Sequence, residues 1–237
     1  GREADAAESY RRAAEADPAS WEAQYNVGVT YLENGQPRQA LEALGRAEQQ
    51  GGAGRPEVAL ALATAHDQLA QAQEALAYAQ RAMSGLDDGN QVVTARFIAG
   101  RAYYRLGDYD AAGQEFRAVL QARPSEAAAY MWAGLAAYQQ SDYQTAVSSF
   151  ERAVQLNPNS VEARANLGAA YLAAQRYQDA ENVYSLLVSQ NARDVEALYN
   201  LGWALYSQNR RSGAQEAWVS SCELGYQPAC AAINNYL

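Results

Sequence analysis

The stretch RANLGAAYLAAQRYQDAENVY, residues 164 to 184, decides the fold. It places a small residue, Gly168, twelve positions before another, Ala180, with a bulky ring, Tyr184, four positions further on. The arrangement recurs along the chain. Small residues stand at Gly28, Ala63, Gly100, Gly134, Gly168 and Gly202, and twelve residues after each comes an alanine: Ala40, Ala75, Ala112, Ala146, Ala180 and Ala214. Both series step by 35, 37, 34, 34 and 34 residues. Four residues beyond each alanine stand Leu44, Ala79, Phe116, Phe150, Tyr184 and Trp218.

A period of this length marks a stack of supersecondary units. Because Gly168 and Ala180 lack bulk, two helices of one unit approach closely there, and Tyr171 and Tyr184 fill the space that remains. Pro124 and Pro158 cannot continue a helix and end two of the units. One hairpin cannot bury its apolar face alone, so stability comes from stacking on neighbours. The register gives six full units, at 21–54, 56–90, 93–126, 127–160, 161–194 and 195–228. The longer steps coincide with the turn-rich insertions GGAGR (51 to 55) and LDDGNQ (86 to 91). With Ala79 in the bulky position and His66 where other units place a tyrosine, the second unit is expected to pack least well.

The pattern resembles the tetratricopeptide repeat, whose signature spreads Trp, Leu-Gly, Tyr, Ala, Phe and Pro over two antiparallel helices. The resemblance covers nearly the whole chain. It implies an all-α, right-handed superhelical solenoid of antiparallel helix pairs, with first helices lining the inner face.

The ends differ from the rest. Counting back from Ala40 lands on Ala6, and Tyr10, Ala13 and Pro18 then match the second helix of an incomplete repeat over residues 1–20, whose exposed face is a candidate for end-to-end contact. At the other end, Pro228 suits an early helical position, so residues 229–237 read as a short capping helix. The only two cysteines, Cys222 and Cys230, lie in CELGYQPAC, which resembles the cysteine-rich Sel1-like repeats, where a pair with this gap joins adjacent helices. The resemblance implies a disulfide staple; two reduced buried thiols are the alternative. Zinc would need two more ligands, and His66 is far away in the register. A disulfide would favour a periplasmic or other extracytoplasmic setting, and reduced thiols the cytoplasm.

Composition narrows the function classes. The net charge is −9 and the cations are all arginines, scattered singly or in pairs. Nucleic acid is therefore not an expected partner, and lysine-dependent chemistry is excluded. The arginine-only usage suggests a GC-rich, bacterial source. No run of 18 or more apolar residues is present to span a bilayer. With His66 as the sole histidine, a Ser-His-Asp triad would depend entirely on it, and Gly51, Gly52 and Gly54 lack the continuation of a phosphate loop. Glu151 and Glu181 are expected to face water. The reading is of a noncatalytic protein with no cofactor and no metal.

Function is then expected on the face of each first helix turned away from its partner helix. Spacings of three, four and three put Thr94, Phe97, Arg101 and Tyr104 on one such stripe, followed by Ala128, Met131, Leu135 and Tyr138, then Glu162, Ala165, Ala169 and Leu172, then Glu196, Tyr199, Trp203 and Tyr206. The earlier units offer Glu22, Tyr25, Val29, Leu32 and Glu57, Leu60, Thr64, Asp67. Alanines in the fifth stripe predict a depression over Ala165 and Ala169, walled by Met131, Leu135 and Tyr138 on one side and Tyr199, Trp203 and Tyr206 on the other. Chaperone-type members of the family that the chain resembles use asparagine in the groove, which the resemblance extends to Asn26, Asn166 and Asn200, and Arg101 and Arg105 are expected to pair with an acidic group nearby. The expected role is a monomeric scaffold that holds an extended or helical peptide segment of a partner protein, with weak self-association through the N-terminal helix. Two alternatives are a recruitment segment of a larger envelope or enzyme complex and an end-to-end assembling protein.

Overall fold

The computed structural model describes residues 19–236 together with 10, 12, 16 and 17. The incomplete repeat expected over residues 1–20 lies for the most part outside the described residues. Among those described there are helices and no strand, so the all-α reading holds. The chain forms two compact units that divide after Pro124. The first contains three helix pairs: α1 (Trp21–Glu33) with α2 (Pro37–Gln49), α3 (Pro56–Gln68) with α4 (Ala72–Met83), and α5 (Gly89–Leu106) with α6 (Tyr109–Ala122). The second contains α7 (Ala127–Gln139) with α8 (Tyr143–Leu156), α9 (Val161–Ala173) with α10 (Tyr177–Gln190), α11 (Val195–Ser207) with α12 (Arg211–Glu223), and a last helix, α13 (Gln227–Tyr236). Within each unit the pairs stack as a helical solenoid.

One contact explains each pair. A Cβ placed on Gly168 would lie 2.7 Å from Tyr184 Cζ, one on Gly134 2.7 Å from Phe150, and one on Gly100 2.8 Å from Phe116. Gly28 faces Leu44 and Gly202 faces Trp218 in the same way. The side chain sixteen residues on therefore occupies the volume that a methyl group would need. The six alanines from Ala40 to Ala214 are fully buried on the opposing helix. In the second pair Ala63 meets Ala79 instead of a ring, yet both are fully buried. Tyr78, next to Ala79, packs against three clusters of core residues and has His66 stacked on it at 5.3 Å.

The turns obey a second register. The residue seven positions after each small residue has a left-handed backbone: Gly35, Ala70, Gly107, Ser141, Gln175 and Asn209. Only two of the six are glycine, so composition concealed this one. Helix starts are closed by Ser20, Asp88, Asp108, Asp142, Ser160 and Asp194, each accepting a backbone N–H from the first turn.

The close approach sets up a paired experiment. Gly168→Ala forces the Tyr184 ring aside and should lower stability by about 1 to 3 kcal/mol. Gly45→Ala, in the interior of α2 where nothing lies within reach of an added methyl, should raise it by roughly 0.5 to 1 kcal/mol. Urea unfolding of both variants gives the sign directly, and equal shifts would remove the argument for ring-on-glycine packing.

Candidate functional site

In the first unit, the stripe residues are largely engaged with one another. Asp67, on α3, is 5% exposed and takes one arginine of α5 on each oxygen: Arg101 at 2.9 Å and Arg105 at 2.5 Å. The acidic group that these arginines meet thus belongs to the chain itself. Burial pushes the Arg101 guanidinium down from its ordinary value, the Asp67 carboxylate pulls it back up, and Arg105 lowers it again. Phe97 packs edge-on against Phe116 at 5.7 Å, and Tyr104 against Tyr109 at 5.3 Å. The signal for the cluster was present in the sequence, as Asp67 in one stripe and two arginines about one repeat later.

In the second unit the stripe opens into a depression of about 370 Å³. Tyr138 reaches it from α7, Ala169, Leu172 and Ala173 from α9, Tyr177 from the start of α10, and Asn200, Trp203 and Ser207 from α11. Four of the expected residues thus come together there: Tyr138, Ala169, Asn200 and Trp203. Ala165, Asn166, Met131, Leu135, Tyr199 and Tyr206 do not line it. The cavity sits one turn further along α9 than expected, beside Ala169 and Ala173. The Tyr184 hydroxyl points at the Ala165 carbonyl oxygen, 3.4 Å away, and Met131, Leu135 and Ala165 pack on the buried core around Tyr171 and Tyr184. Burial also raises the Tyr138 phenol above its ordinary pKa, with Tyr143 adding to the effect, so at neutral pH this wall is uncharged.

Tyr199 and Tyr206 are drawn into packing by the chain that follows. Tyr226, just before α13, meets Tyr199 at 5.4 Å. Tyr236, near its end, meets Trp203 at 4.9 Å and Tyr206 at 5.7 Å. The helix is held by a disulfide between Cys222 and Cys230, with Cα atoms 4.9 Å apart, and by the burial of Ala229 and Ala232. A helix of this length is marginal alone, and closing so short a loop contributes roughly 2.5 kcal/mol on the chain-entropy account. Ser221, fully buried beside it, donates to the Val195 carbonyl oxygen at 2.7 Å.

Two carboxylates expected in water instead bridge successive pairs. The Tyr171 hydroxyl donates to Glu151 at 2.7 Å, and Arg176 lies over the Tyr171 ring at 4.4 Å while also approaching Glu151. Glu181 accepts from Arg210 at 2.6 Å and from Gln208 at 3.0 Å, and its side chain is only 15% exposed. Among the described residues no group of three or more His, Cys, Asp or Glu side chains has an arrangement that would hold a metal ion, and no helix is long and apolar enough to cross a membrane.

Two measurements probe these polar contacts. Asp67→Asn leaves two guanidiniums without their counter-charge and should cost roughly 3 kcal/mol in urea unfolding. At Glu181 burial pushes the carboxyl up, but the hydrogen bonds from Arg210 and Gln208 outweigh it, so the folded-state pKa lies below the ordinary 4.5. Its stabilisation is complete above that value and is lost as pH falls through the lower folded-state pKa. The Tm of Glu181→Gln should therefore fall less steeply below pH 4.5 than that of the parent chain. Parallel curves would show that the pair contributes nothing.

Comparison with known proteins agrees with this geometry. Models of the tetratricopeptide repeat match residues 9–42, 97–161 and 137–201. Those matches bear on the tetratricopeptide repeat and not on a Sel1-like repeat. A search of curated protein sequences returned no match. Among solved structures, the chain is similar to "MamA MSR-1 C2", with TM-score 0.65, 16% identity, and coverage of 73% of this chain and 98% of that one. It is similar to a further crystal structure of MamA, with TM-score 0.65, 17% identity, and coverage of 77% and 96%. It also resembles a chain of the APC/C hetero-tetramer Cut9-Hcn1, with TM-score 0.68 and 15% identity over 96% of this chain, spanning 45% of that one. At such identities the likeness is one of fold. With the repeat register, the ring-on-glycine contacts and the matched family models in agreement, the chain belongs to the tetratricopeptide-repeat family.

Proposed function

We propose that the chain is a noncatalytic protein-interaction scaffold whose second unit holds an extended or helical segment of a partner, with one anchor side chain seated between Tyr138, Ala169 and Trp203. The observation that carries this is the depression itself. It is bounded by rings from three different helices, Tyr138, Tyr177 and Trp203, with Ala169 and Ala173 along one side, and Asn200 and Ser207 supply polar groups for a main chain. Anchors of this kind concentrate binding energy in a few side chains, and a groove between helices suits a peptide. Repeat scaffolds serve assembly in general terms, and Cut9, a neighbour in fold, was crystallised as a hetero-tetramer with Hcn1.

The test is selection of displayed random peptides on the full chain, followed by affinity measurements on two variants. Ala169→Leu fills the depression without adding charge, and Trp203→Ala removes a wall. Selected peptides should lose at least about 10-fold in affinity on Ala169→Leu, in keeping with the weight of a single anchor, while the Tm of that variant stays within a degree or two. Peptides that bind both variants as tightly as the parent would place recognition elsewhere.

A further inference from the structure

From the chemistry of this depression we infer that its anchor is a cation, the guanidinium or ammonium group of an arginine or lysine in a basic segment of the partner. The inference rests on the scaffold reading above and adds the class of ligand. Three observations carry it. Aromatic rings line the depression from three helices and no cation lines it, which is the chemistry that attracts an organic cation by the negative faces of the rings. The chain already packs its own arginines this way: Arg176 lies 4.4 Å over Tyr171, Arg81 4.7 Å over Tyr78 and Arg55 4.9 Å over Trp21.

The second observation is charge. Residues 125–237 carry ten carboxylates and six arginines, a net charge of −4. Two of those carboxylates lie on the faces that build the depression. Glu196 falls four, seven and eleven residues before Asn200, Trp203 and Ser207, and Glu162 falls seven and eleven before Ala169 and Ala173. These spacings keep each set on one side of its helix. Both glutamates are exposed, and among the described residues neither is ion-paired. The remaining arginines near this surface are partly engaged, Arg176 by Asp179 and Arg210 by Glu181.

The third is length. Seven helical residues separate Glu162 from Ala169 and Glu196 from Trp203, about 10 Å, which an extended peptide covers in about three residues. The occupant is thus a segment with one basic side chain in the depression and a second about three residues away on Glu162 or Glu196. An apolar anchor would fill the volume but leave the two carboxylates without a role.

The experiment uses the full chain labelled with 15N and four capped heptapeptides that differ only at the central residue: arginine, citrulline, norleucine or glutamate. Binding is read at the indole N–H of Trp203, assigned by its loss in Trp203→Phe. The arginine peptide should bind about 10-fold more tightly than its neutral isostere citrulline at low salt. Glu196→Gln should weaken the arginine peptide by a few-fold, and added salt should narrow its margin over citrulline. Citrulline or norleucine binding as well as arginine, through the same Trp203 resonance, overturns the cation and leaves the pocket as the docking site. A Trp203 resonance unmoved by all four peptides, together with displayed peptides insensitive to Ala169→Leu, removes the pocket reading as well.

Discussion

The structure depends on one contact, made in five of the six helix pairs: a large side chain of the second helix rests on a residue of the first helix that has no Cβ. Where a Cβ on Gly168 would lie 2.7 Å from the Tyr184 ring, no other residue type fits without moving the helices apart. Dense interiors transmit such displacements instead of absorbing them. The contact fixes the distance within a pair, and the fully buried alanine twelve residues on fixes the rotation about it. Everything presented on the outer side of α7, α9 and α11 follows from these two constraints.

The linkage between pairs is of a different kind. Within a pair the contact is apolar and repeats; between pairs it includes polar contacts that vary. Glu151 meets Tyr171 and Arg176, Glu181 meets Arg210 and Gln208, Glu48 meets Arg81 and Tyr78, and Asp67 meets Arg101 and Arg105. None of these sets is the same, so each joins a particular neighbour. A stack built only of interchangeable apolar faces would tolerate slippage by a whole repeat. We read the individual pairings as a source of order along the stack, in the way buried polar groups specify register elsewhere.

This division explains what the sequence disclosed. A helix pair announces itself because glycine and alanine are obligatory at fixed spacing, and their absence of bulk is visible in the letters. The left-handed turn residue was hidden because Ala70, Ser141, Gln175 and Asn209 accept the conformation without being glycine. In the candidate site, the stripes brought Tyr138, Ala169 and Trp203 together, as helical periodicity combined with the repeat register places them. They did not disclose what engages Tyr199 and Tyr206, which is Tyr226 and Tyr236 further along the chain, or Arg101 and Arg105, which is Asp67 one repeat earlier. Periodicity says which way a side chain faces and is silent on what has come to cover it. Tyr177 was missed for the complementary reason: it belongs to a second helix and enters the site only because its helix starts right after the turn.

The position of the depression follows from a shortage of volume. Along α9 the outward stripe reads Ala165, Ala169 and Ala173, where α7 offers Met131, Leu135 and Tyr138 and α11 offers Tyr199, Trp203 and Tyr206. The shortage at Ala165 is covered from within, because Tyr184 lies beneath it and Met131 and Leu135 pack over the same core. At Ala169 and Ala173 no such cover is present, and the cavity opens there with Tyr177 and Trp203 on its walls. A larger residue at Ala169 would erase the cavity while leaving the Gly168–Tyr184 contact untouched, and so the cavity and the fold answer to adjacent residues that face different ways on one helix.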